Sequence, residues 1–60
     1  ARRDEIRRQI ADRLAAGPLD LKTLAGGIRY EIDALLGEVE AMTAEGKIIE
    51  EKSGKLRINR

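Results

Sequence analysis

The apolar spacing of this chain changes period once, and that change limits the folds open to it. From Ile6 to Met42 the apolar residues recur at helical intervals. After Gly46, "KIIEEKSGKLRIN" reads as two short apolar or β-branched runs around Ser53-Gly54. The first pattern belongs to amphipathic helices and the second to a hairpin. Both must share one core, because a chain of 60 residues buries only about 60% of its unfolded surface. The chain has no Cys, so neither a disulfide nor a thiolate zinc site staples it.

"RRDEIRRQIADRLAAG" predicts a first helix with Ile6, Ile10 and Leu14 inward, stopped by Gly17-Pro18. Along it Asp4 and Arg8, and Glu5 and Gln9, are one turn apart. "GPL" is extended, because Pro18 fixes its own φ and disfavours helix at Gly17. Asp20 is a good N-cap for a short second helix, "LKTLA", which Gly26-Gly27 ends. The third helix is expected from near Glu31 to about Glu45, with Gly46 as its C′ residue. Leu35, Val39 and Met42 form its inner stripe, flanked by Ile32 and Leu36, and Glu31 and Asp33 favour the positive end of its dipole. A two-residue turn at Ser53-Gly54 would set Ile49 opposite Ile58 and Glu50 opposite Arg57, shielding Ile48, Ile49, Leu56 and Ile58. The order is helix, short strand, helix, helix, hairpin. Residues 1–60 form one domain without repeats, and the missing initiator Met suggests excision from a longer protein.

Net charge is only +1, but its distribution is uneven. Residues 1–16 hold five Arg against three acids. Residues 30–46 hold Glu31, Asp33, Glu38, Glu40 and Glu45 with no cation, and residues 47–60 hold five Lys/Arg against Glu50 and Glu51. An acidic block therefore separates two basic ends. No apolar run approaches the roughly 20 residues of a membrane span, and no signal-peptide core is present. A cytoplasmic chain with no membrane partner is expected.

"GPLDLKTLA", the spacing Leu24, Ile28, Leu35, Val39, Met42, Gly46, Ile48, and the terminal "EGKIIEEKSGKLRI" resemble the winged helix-turn-helix superfamily over nearly the whole chain. The resemblance implies a small α+β fold: a three-helix helix-turn-helix bundle with a C-terminal two-stranded β-hairpin wing. It also implies double-stranded DNA binding and transcription regulation, with the third helix in the major groove and wing cations on phosphates; a minority of members serve protein contacts. "IDALLGEVEAM" and "GKI" are loosely similar to small ferrous-iron-transport regulators, whose wing carries cysteines. This wing has none, so no iron–sulfur role follows.

The chain departs from the superfamily in one way that matters for function. The outward positions of its third helix, Asp33, Gly37, Glu40, Ala41 and Ala44, lack the donors that read base edges, and carboxylates face phosphates with the wrong sign. The expected nucleic-acid contacts are therefore Lys52, Lys55 and Arg57 of the wing, with Lys47 and Arg29. For the first-helix arginines, a solvated role among Asp4, Glu5 and Asp12 is preferred. The alternative function is protein interaction, or a homodimer, through Leu36, Asp33, Glu40 and Ile32, although Ile32 is better read as the edge of the core. Tyr30, the only aromatic, is read as structural. Catalysis is not expected: the chain has no His or Cys, Ser53 has no base nearby, and Glu38 and Glu45 show no pocket. No cofactor or metal is implied.

Overall fold

Ile6, Ile10 and Leu14 lie on one face of the first helix, α1 (Arg2–Leu14), and all three are buried. The computed structural model describes residues 2–59. After α1 come β1 (Leu19–Asp20), α2 (Leu21–Gly26), α3 (Ile32–Ala44), β2 (Ile48–Glu50) and β3 (Lys55–Ile58). The fold is thus a small α+β arrangement of three helices and an antiparallel sheet ordered β1-β3-β2. Its topology is compatible with a winged-helix-like chain path. The most deeply buried side chains are Ile10, Leu24, Leu35 and Ile48, one each from α1, α2, α3 and β2. Ile6, Leu14, Ile28, Val39, Met42 and Leu56 complete the cluster, and no polar side chain is buried with it among the described residues.

The short strand expected before the second helix is present as β1, and it joins the hairpin as a third strand of the sheet, a pairing the sequence pattern did not specify. Gly17 (φ +143) and Pro18 deliver the chain extended, and Leu19 pairs with Leu56 while Asp20 pairs with Lys55. Leu19 packs on the core, so the same two residues satisfy an edge and cover apolar surface. β3 is thereby the central strand.

The hairpin register differs from expectation. Ile48 pairs with Ile58, Ile49 with Arg57, and Glu50 with Leu56. The Gly54 N–H donates to the Glu51 carbonyl at 2.9 Å and the Glu51 N–H donates to the Lys55 carbonyl at 2.8 Å. This leaves a three-residue loop, Lys52-Ser53-Gly54, with Gly54 at φ +91, where glycine avoids a Cβ clash. The core decides the slip. Paired strand residues share a face, and only the observed register puts Ile48, Leu56 and Ile58 together. Ile49 falls on the other face with Arg57, outside the core.

Local chemistry sets the helix ends. The Asp20 carboxylate accepts from the Thr23 N–H at 2.7 Å, the N-cap expected of it. Past α3, Gly46 adopts φ +78; its N–H donates to Thr43 and that of Lys47 to Met42, the paired bonds of a Schellman motif. Two smaller expectations change. Ile32 is 53% exposed rather than at the core edge, because the helix turns Leu35 and Val39 inward instead. Arg8 binds Glu5 and Asp12, not Asp4, since those two carboxylates already bracket its guanidinium; Gln9 does donate to Glu5.

Candidate functional site

Internal pairing determines which charges remain available to a partner. Arg7, from the inner edge of α1, reaches α3: its Nε donates to Glu38 at 2.7 Å, and its two terminal nitrogens donate to the two Glu45 oxygens at 2.8 Å each. Arg3 adds a bond to Glu38 at 3.2 Å. The Arg7 hydrogen bonds are the leading cause that holds the Glu45 carboxyl down to about 2, and they also lower Glu38; both acids raise Arg7 further above its ordinary value. Two members of the acidic block are therefore neutralised by the first helix. Sequence reasoning missed this strap. The signal was present, since Arg3 and Arg7 are four residues apart and Glu38 and Glu45 seven apart, each pair on one helical face.

The cations of the hairpin divide in the same way. Lys47 pairs with Glu45 at 3.4 Å. Arg57 pairs with Glu51 at 3.3 Å, and its Nη1 also donates to the Ile58 carbonyl. Lys52 in the loop and Lys55 at the start of β3 are exposed, and no ion pair holds either among the described residues. Arg29 is likewise exposed, in the α2–α3 loop and on a different element. Arg60, the last cation in the sequence, lies outside the described residues.

Lys55 has a neighbour that the sequence pattern did not single out. The β1–β3 pairing places it across from Asp20, and Lys22 follows two residues later in the first turn of α2. The Asp20 carboxyl lies below its ordinary value, chiefly because it accepts the Thr23 backbone N–H, with Lys55 and Lys22 adding to the effect. Two exposed lysines thus share one carboxylate already committed to a helix cap. The signal available in the sequence was the extended "GPLD" leading into Lys22, once β1 is paired with β3.

On α3, Asp33 and Glu40 are exposed, Leu36 is half-buried, and Ile32 projects from the first turn. The one α3 hydroxyl, on Thr43, donates back to the Val39 carbonyl at 2.8 Å. Tyr30 packs against the core, with the Arg2 guanidinium 5.7 Å over its ring. Gly27, at φ −101, leaves room for the Arg13 guanidinium where a Cβ would collide with it. An open depression of about 540 Å³ lies beside Asp12, Arg13 and Pro18. Among the described residues no three acids are grouped to hold a metal ion, and no helix is long and apolar enough to cross a membrane. Compared with protein-family models, curated proteins and solved structures, the chain matches none of them.

Proposed function

We propose that this chain is a winged-helix, non-enzymatic nucleic-acid-binding module of the transcription-regulator type, which holds phosphates with its wing and reads little sequence. One observation carries the reading. Ion pairs within the fold occupy Arg3, Arg7, Arg8, Lys47 and Arg57, while Lys52 and Lys55 are exposed at the hairpin end with no such pair among the described residues. An ammonium group that is not already paired loses nothing internal when it meets a phosphate, and the condensed cations it displaces drive binding. Arg57 and Lys47 are accordingly secondary contacts, and Arg29 a peripheral one. The test is fluorescence anisotropy with a labelled duplex at two salt concentrations. Binding should weaken steeply as salt rises, and Lys52→Glu with Lys55→Glu should abolish it. Absence of binding by the unaltered chain at low salt would exclude this function.

A second reading, protein interaction through α3, is favoured by the exposure of Ile32 beside Leu36, Asp33 and Glu40. Three exposed carboxylates, counting Glu31, make a symmetric α3–α3 dimer self-repelling, so this reading calls for a basic partner rather than a second copy. Ile32→Asp should then break the complex without weakening DNA binding.

A further inference from the structure

We infer, on the strength of the binding role proposed above, that the chain meets duplex DNA with the end of its sheet, through Lys22, Lys52 and Lys55, and turns α3 away from the duplex. Lys22 belongs to this surface because β1 runs into α2 without an intervening residue. Asp20 is cross-strand neighbour to Lys55, so the first turn of α2 lies beside the start of β3. Lys52 is in the loop that leads into that strand. The carboxylate between these lysines, Asp20, is taken by the Thr23 N–H at 2.7 Å, and Glu51 beside Lys52 is paired with Arg57 at 3.3 Å. The three lysines therefore outnumber the exposed Glu50 and the committed Asp20 and leave a small local excess of positive charge.

The opposite argument applies to α3. Asp33 and Glu40 are exposed with no ion-pair partner among the described residues. The Thr43 hydroxyl is bonded within the helix. A duplex carries one negative charge per about 1.7 Å of axis, and like charges repel within a Debye length of about 10 Å. Seating α3 in a groove would bring carboxylates against that charge with no donor for the base edges. Seating the sheet end on the backbone avoids both costs and makes contact indifferent to sequence.

The experiment titrates two labelled duplexes of unrelated sequence with the full chain across a salt series. Three phosphate contacts predict equal affinity for both duplexes and a log–log salt slope of about 3. Lys22→Gln should weaken binding and lower the slope by about 1, while Lys22→Arg, which keeps the charge, should restore both. Asp33→Asn with Glu40→Gln should change affinity by less than about threefold, the size of a long-range, screened effect. If Lys52→Glu with Lys55→Glu abolishes binding but Lys22→Gln binds like the unaltered chain, the sheet-end surface is wrong and the wing-only function stands. A larger effect from the α3 pair, or a preference between duplexes, would likewise place α3 on the DNA and overturn the inference. If the unaltered chain binds neither duplex, the underlying function fails as well.

Discussion

Arg7 shows how one side chain can redirect the charge of a whole segment. Its fork closes on Glu45 in the two-bond geometry that guanidinium and carboxylate share, and its Nε takes Glu38. The Glu45 carboxyl falls from an ordinary 4.5 to about 2. A carboxyl held lower in the folded than in the unfolded chain stabilises the fold in its charged form. That contribution is complete above about 4.5 and is lost as pH falls from there through about 2. Urea midpoints measured across this range should decline on acidification, and Glu45→Gln should flatten the decline; an unchanged slope would show that the pair does not couple α1 to α3. Counting charges along the sequence located the acidic block but not this partner, which lies 38 residues away. Ion pairs between elements depend on which faces meet, and that is fixed only after packing. Ile32 was obscured for the same reason, since a stripe one residue wider or narrower is equally consistent with its spacing.

At the scale of elements, the parts governed by neighbouring residues were readable: the Asp20 cap, the helical period of α1 and α3, and the Gly46 stop. The hairpin register was not, because the Ser53-Gly54 signal admits loops of two or three residues. The burial of Ile48 with Leu56 and Ile58 chose between them, and that information is spread over the sheet. The short extended stretch after Pro18 was readable, but its partner was not: two residues carry no periodicity, and only the unpaired edge of β3 gives them a place in the sheet. Glycines in α3 and at its end separate local backbone demand from helix propensity. Gly46 has φ +78, so Gly46→Ala should cost about 1–2 kcal/mol. Gly37 is inside α3 with open space where a Cβ would go, so Gly37→Ala should gain about 0.5–1 kcal/mol. Thermal unfolding of the two variants should therefore move in opposite directions, and a loss at Gly37 would mean that α3 is not a regular helix there.

For the molecule as a whole, the decisive fact is that α1, α2, α3 and β2 each supply one fully buried residue. None of these elements has a core without the others. Helices of 13, 6 and 13 residues are at or below the length that persists alone in water, roughly 12–15 residues. The hairpin supplies Ile48 and Leu56, which are 1% and 5% exposed. Burying two such side chains contributes about 3–6 kcal/mol, against a total stability of about 3–9 kcal/mol for a chain this long. Removing the hairpin therefore removes an amount comparable to the entire margin, while also uncovering Ile10, Leu24 and Leu35. A chain ending at Gly46 should show weak helical circular dichroism and a sloping thermal profile with no cooperative step. A cooperative step near that of the full chain would mean that the three helices close their own core and that the sheet is an appendage to it.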